Sequence, residues 1–162
     1  MIDEILNSYG MCLMLLRRAV EDVDEAQMVA QPHGVVNHPA WTLGHLIFSA
    51  QAIGGEMGVA PWLGDGWGKP FGTGSTPQSD PSLYPSKEEL LAALADAQRR
   101  LAERLKEIGE EGLSEPMPDV RYREVFPTLG HAVLHILTVH ASLHVGQLQA
   151  WRRAMGLARA SG

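Results

Sequence analysis

The sequence predicts an all-α protein, a four-helix bundle of up-down-down-up order with a long crossover loop between its second and third helices. Three observations carry this expectation. Apolar residues recur at intervals of three and four in four separate segments. Text rich in Gly and Pro divides those segments. One of the dividers is also far longer than a bundle turn requires. With 162 residues, 45% of them hydrophobic, the chain has the size of one domain with a core of its own, and residues 1–162 are read as a single domain.

The first helix is expected from about Asp3 to Met28, with Ile2, Ile5, Leu6, Tyr9, Cys12, Leu13, Leu16, Val20 and Val23 on one face. A short segment around Pro32 to His38 then favours an antiparallel second helix. That helix opens near Asn37 to Pro39, where a proline is tolerated because a first-turn amide has no intrahelical partner, and it closes near Gly58.

Ala60 to Pro85 is long enough to run the length of the bundle, hence the up-down-down-up order. Its Trp62, Trp67, Phe71 and Tyr84 are read as anchors for the loop, with the walling of a pocket as the alternative. Ser86 and Glu89 form a capping box behind Pro85 and start the third helix, which runs to about Ile108. At about 100° per residue its Leu90, Leu94, Leu101, Leu105 and Ile108 share one stripe. The fourth helix begins at Pro127 or Thr128 and ends at Met155, with Gly156 as a left-handed stop and Arg152 and Arg153 set favourably against the dipole.

Composition excludes several function classes. A formal charge of -6 and a pI of about 5.6 leave no basic face for nucleic acid or an anionic bilayer. The stretch from Ala26 to Gly55 lacks Asp, Glu, Lys and Arg, but Pro32, Pro39 and several polar residues keep it from reading as a membrane span. Cys12 is the only cysteine, so no internal disulfide is possible. The start Met1, Ile2, Asp3, Glu4 does not look like a secretory signal, and the expected location is cytoplasmic.

Chemistry concentrates in the histidines. The last helix carries His131 with His135 and His140 with His144, and a spacing of four puts both rings of a pair on one face. The two pairs point in roughly opposite directions. Leu129, Val133, Ile136, Leu137, Leu148, Trp151 and Met155 gather around the direction of His140 and His144, so that pair is expected to enter the core. Two imidazoles in an apolar stripe are costly unless each finds a partner. Hydrogen-bonded core histidines explain one such pair as well as a metal does.

His45, flanked by Trp41, Phe48 and Ala52 on one side and by Leu46 and Ile53 on the other, adds a third buried ring. In antiparallel helices it lies at the same end of the bundle as the pair, and the three together favour a metal site of His45, His140 and His144. No H-E-x-x-H occurs, and no Glu is followed three residues later by His, so neither a zinc peptidase nor a di-iron carboxylate bundle is indicated. Glu56 shares the azimuth of His45 but stands about 16 Å along the axis, out of reach of the same ion. Three imidazoles with an open position are the pattern of a catalytic site.

The segments W-T-L-G-H, Trp41 to His45, and H-A-S-L-H-V-G-Q, His140 to Gln147, resemble the signatures of the DinB/YfiT-like family. The resemblance implies an up-down-down-up bundle, often dimeric, with a metal held by the histidines at positions 45, 140 and 144. It also implies a kinship with thiol-dependent S-transferases and a mycothiol-dependent maleylpyruvate isomerase, and no DNA binding. Gln147 matches the family's glutamine, as an orienting group for a ligand or as a tie between helices.

The leading expectation is a transferase-type metalloenzyme in which a low-molecular-weight thiol, deprotonated at a divalent cation, attacks a small electrophilic substrate. Zinc or nickel is expected first, then iron, although imidazoles suit all of them and copper. The alternatives are a hydrolase or isomerase that activates water, and a non-catalytic metal-binding stress protein. Cys12 lies on an apolar stripe and is read as a core residue, not a nucleophile. Helix 2 is apolar on the side opposite His45 too, at Leu43, Ile47 and Ala50, which suggests a homodimer. Arg152, Arg153 and Arg159 are read as a solvated face, with receipt of a substrate carboxylate as the alternative.

Overall fold

A computed structural model describes residues 1–158, and among them no strand occurs beyond one isolated bridge between Pro116 and Thr128. Four long helical stretches build a bundle: α1 (Ile2–Val20), α2 (Pro39–Glu56), α3 (Lys87–Ser114) and α4, covering 129–154. Stretch α4 consists of three consecutive pieces, α-helical Leu129–Leu134, π-helical His135–His140 and α-helical Ala141–Ala154. Both α1 and α2 pack chiefly on α3 and α4. No helix among the described residues is long and apolar enough to cross a membrane.

Helix α1 is shorter than its apolar spacing predicts. Beyond Val20 the chain turns, and Glu25–Val29 form a separate 3-10 segment. A capping box between Asp24 and Gln27 starts the new segment and offers the backbone bonds outside α1. Asp24 is extended, and its N–H donates to Gln27 Oε1 at 3.0 Å. Val23 and Met28 are nevertheless buried, so the apolar pattern continues into the core although the helix does not.

Helix α2 opens at Pro39 with His38 as its cap, whose Nδ1 accepts from the Trp41 N–H at 3.2 Å. Leu43, Ile47 and Ala50 are fully covered by the chain itself. The apolarity on the second side of α2 is thus spent within one bundle, and it supplies no argument for a homodimer.

The capping box of α3 is present: the Ser86 N–H donates to Glu89 Oε2 at 2.8 Å, and the Glu89 N–H donates to Ser86 Oγ at 3.2 Å. The regular wheel ends at Ile108 as expected, because Gly109 takes φ 64, a value that side chains with a Cβ rarely adopt. One further turn then reaches Ser114 and buries Leu113. Gly156, with φ 71, terminates α4 as predicted.

The π-helical piece of α4 alters what a constant 100° advance predicts. A wider turn takes up about one extra residue, which rotates the buried stripe relative to an ideal wheel. Upstream of it Leu129, Ala132 and Val133 face inward; downstream Ala141, His144, Leu148 and Trp151 do, and Arg152 joins them at 2% exposure. Arg152 is therefore neither part of a solvated face nor open to a substrate. Its guanidinium donates to the carbonyls of Ala19 and Ala158 and pairs with the Asp22 carboxylate. Arg153 is exposed, and Arg159 lies outside the described residues.

Residues 60–85 lie against α2 and are held at several points. Gln51 Oε1 accepts from the N–H groups of Trp62 and Leu63. The Trp41 indole N–H donates to Ser75 Oγ at 2.9 Å, and His38 Nε2–H donates to the Gln78 carbonyl at 2.8 Å. The loop aromatics are anchors, as predicted: Trp62 packs on Gly54 and under Arg100, and Phe71 contacts both Trp67 and Tyr84.

Candidate metal centre

Three imidazoles meet where the first half of α2 faces the junction between the π-helical and α-helical pieces of α4. His45 comes from α2, His140 ends the π-helical piece and His144 lies one turn further on. The Nε2 atom of His140 stands 3.1 Å from Nε2 of His45 and 3.1 Å from Nε2 of His144. One nitrogen from each of the three residues lies within 4.8 Å of the others, and among the described residues this is the cluster suited to a metal ion. His144 is 6% exposed, and the other two rings are half-buried.

The donor set fits a cation. Bonds of about 2.0–2.1 Å at tetrahedral angles separate neighbouring ligand nitrogens by about 3.3 Å, close to the 3.1 Å that separates His140 from each of the other two rings. Protons alone satisfy the arrangement poorly. The Phe71 carbonyl lies 2.8 Å from His45 Nδ1, and because a carbonyl only accepts, the proton of His45 sits on Nδ1 and its Nε2 presents a bare lone pair. His140 Nε2 faces that lone pair and His144 together, and one proton makes at most one good bond there. A divalent cation satisfies all three nitrogens together.

Electrostatics agrees. Burial lowers the His140 pKa to about 4, with the nearby His45 and His135 adding to the shift. Burial likewise takes His144 to about 4, assisted by His140 and His45 and partly opposed by the nearby Gln147 side chain. Both rings are thereby neutral at physiological pH, with lone pairs ready for a ligand role. Their Nδ1 atoms are buried and make no hydrogen bond.

The second histidine pair stays outside this site. His131 is exposed and its Nδ1 bonds Thr128 Oγ1, while His135 packs on the ring of Phe126. Glu56 also stands apart, accepting from the Asp119 N–H. Gln147 ties α4 to the chain just ahead of α2, since its Oε1 accepts from Asn37 Nδ2 at 2.9 Å. Cys12 is half-buried on α1, and burial raises its thiol pKa.

Two residues support His45: Trp41, which the sequence places beside it one turn earlier, and Phe71, which sequence reasoning missed as a partner of the site. Trp41 stacks on its ring at 4.8 Å with an interplanar angle of 6°, and Phe71 fixes its outer nitrogen. The trace available in the sequence was Gly44, since a glycine inside a helix costs about 1 kcal/mol against alanine and commonly marks a close approach. What approaches it lies 27 positions away in the loop, and no periodicity points there.

A helical bundle with three convergent imidazoles defines a class of metal-compatible helical proteins. Within that class, the family model of the DinB superfamily matches residues 10–148, and the chain belongs to the DinB superfamily. Among curated proteins none matches it.

Proposed function

We propose that the protein is a divalent-metal enzyme of the thiol-dependent S-transferase type, with the cation held by His45, His140 and His144. The observation that carries the proposal is the convergence of three Nε2 atoms from two helices on one point. A divalent cation there, zinc or nickel foremost, supplies a Lewis acid that favours the thiolate of a small exogenous thiol over the thiol.

The chain's own groups prepare that point. Burial keeps His140 and His144 unprotonated, and Phe71 and Trp41 set the ring of His45 edge and face. The nucleophile is taken from outside because Cys12, half-buried with a raised thiol pKa, is unsuited to the task. The acceptor is a small electrophile.

To the same proposal belong one domain over residues 1–162, a cytoplasmic setting and the up-down-down-up order. Contacts between helix ends support that order. The N-terminus meets Glu110 near the end of α3, Arg152 near the end of α4 bonds Ala19 at the end of α1, and Arg104 in the second half of α3 donates to Met57 just past the end of α2. A homodimer, which the family resemblance carries, needs a surface other than α2. Met11 on α1 and Val139 and Leu143 on α4 are exposed apolar side chains, and light scattering checks the mass.

The test combines elemental analysis of protein purified without an affinity tag with an assay of metal-loaded protein against several cellular thiols and a reactive halide or epoxide. Thiol-dependent turnover that His45→Ala removes is expected. Equal rates in both proteins would sink the proposal, and turnover without thiol would replace it with hydrolysis or isomerisation.

A further inference from the structure

We infer that the loop stretch 71–75 is a working part of the metal centre: Phe71, seated in a notch at Gly44, orients His45 for coordination, and cation binding and loop closure reinforce each other. The inference rests on the metal-site reading above. Its geometry is independent of which metal or substrate the site takes.

Gly44 leaves room that no other residue would. A Cβ there would stand 2.0 Å from Phe71 Cε1 and 2.3 Å from both Cδ1 and Cζ, so any side chain would drive the ring out. Phe71 is 1% exposed and ends a single helical turn, Gly68–Phe71. That turn closes through the Gly72 N–H onto the Gly68 carbonyl, which leaves the Phe71 carbonyl free to accept from His45 Nδ1 at 2.8 Å. The ring in the notch therefore fixes where the carbonyl sits, and the carbonyl selects the His45 tautomer whose Nε2 lone pair faces the site.

The same stretch controls the other support of His45. Trp41, stacked on the imidazole, is tied through its indole N–H to Ser75 Oγ at 2.9 Å. Edge and face of the ring are thus both governed by residues 71–75. His140 and His144 have no such bonds at Nδ1, and from α2 only the tilted ring of Trp41, 6.0 Å away, packs against His144. A cation drawing on Nε2 makes Nδ1–H a stronger donor to the Phe71 carbonyl, and by reciprocity a seated carbonyl strengthens the hold of Nε2 on the cation.

The experiment is a double-mutant cycle in the full chain, read by zinc titration against a competing chelator. Gly44→Ala and Phe71→Ala are each expected to weaken zinc binding by about 10–100-fold, the usual cost of losing an outer partner of a ligand. The double variant should bind no worse than the weaker single variant, because either change removes the Phe71 ring from the same notch. Wild-type affinity in both single variants, or losses that multiply, would overturn the inference. Should Gly44→Ala not fold, Phe71→Ala, which introduces no clash, decides by its own zinc affinity.

A second readout separates failure of this inference from failure of the metal-site proposal. In metal-free protein, nitrogen NMR of His45 should find the proton on Nδ1 in the wild type and a mixture of tautomers in either single variant. A wild type that ignores zinc yet shows this tautomer shift overturns the metal site while upholding the orienting role of Phe71. Zinc binding with no tautomer change does the reverse.

Discussion

His140 and His144 on α4 and His45 on α2 offer the same nitrogen to one point, yet the two sides of the site are built differently. On α4 the donors are placed by local helical geometry, one at the end of the π-helical piece and one a turn later, and their outer nitrogens bond nothing. On α2 the single donor is steadied by a carbonyl 26 residues away and by an indole that a loop serine holds. Two of the three donors follow from helical spacing. The third is oriented by tertiary packing.

The largest effect should come from removing a donor, and it should ignore this difference. His45→Ala, His140→Ala and His144→Ala each take one of three first-sphere nitrogens, so zinc affinity is expected to fall well beyond the roughly 10–100-fold cost of an outer partner. Chelator competition measures it. A loss confined to the α4 pair would show that His45 is a bystander and would break the comparison at its root.

Next in size is an effect on stability that spares the site. The buried Arg152 guanidinium ties the end of α4 to Ala19, Ala158 and Asp22. Arg152→Met leaves those carbonyls unpaired, at a cost of about 2–3 kcal/mol, in the range of bonds to charged groups. The estimate stays below that of a fully buried pair because the Asp22 carboxylate is 58% exposed. Urea denaturation of the metal-free protein reads the loss, with zinc affinity unchanged. A parallel fall in affinity would mean that the far end of α4 also helps to set its two donors.

This is also where the sequence was least legible. The four helical stretches, the capping box at Ser86, the stop at Gly156 and the inward face of His140 and His144 all follow from spacing and end signals, which are local. The burial of Arg152 does not, because it depends on the π-helical turn at His135–His140, and nothing in the pattern of apolar residues announces an extra residue in a turn. The early end of α1 was hidden for a related reason: Val23 and Met28 are buried, as a continuing helix would bury them, although a 3-10 segment carries the chain there. At the site, His45 was legible as a third ring with Trp41 one turn before it, while Phe71 and the purpose of Gly44 became apparent only once the loop was folded onto α2.

Acid should act on the α4 side. In the unfolded chain a histidine titrates near 6.5, whereas His140 and His144 titrate at about 4 in the folded metal-free protein, chiefly because they are buried. Between those values the unfolded state binds more protons, so stability rises with pH. Their contribution is fully present above pH 6.5, declines as the pH falls toward 4 and is lost below it. His38, whose pKa burial also lowers, adds to the same slope. Replacing both α4 histidines with glutamine should flatten the urea midpoint across that window. An unchanged slope would assign the acid sensitivity to His38 and the loop it holds.

The smallest expected effect separates two roles for Gln147. Its bond to Asn37 is exposed, so Gln147→Leu should cost no more than about 0.5–1 kcal/mol in urea denaturation. If the residue only ties α4 to the start of α2, zinc affinity stays within a factor of about two, far from the roughly 10–100-fold expected of an outer ligand partner. A larger loss would show that the Gln147 side chain, which lies near enough to His144 to raise its pKa, also steadies that ring, and the α4 side would then rely on an outer partner as the α2 side does. Asn37→Ala distinguishes these cases, since it breaks the tie and leaves the Gln147 side chain beside α4. Loss of stability in both variants with retention of affinity in both is the result expected of a tie.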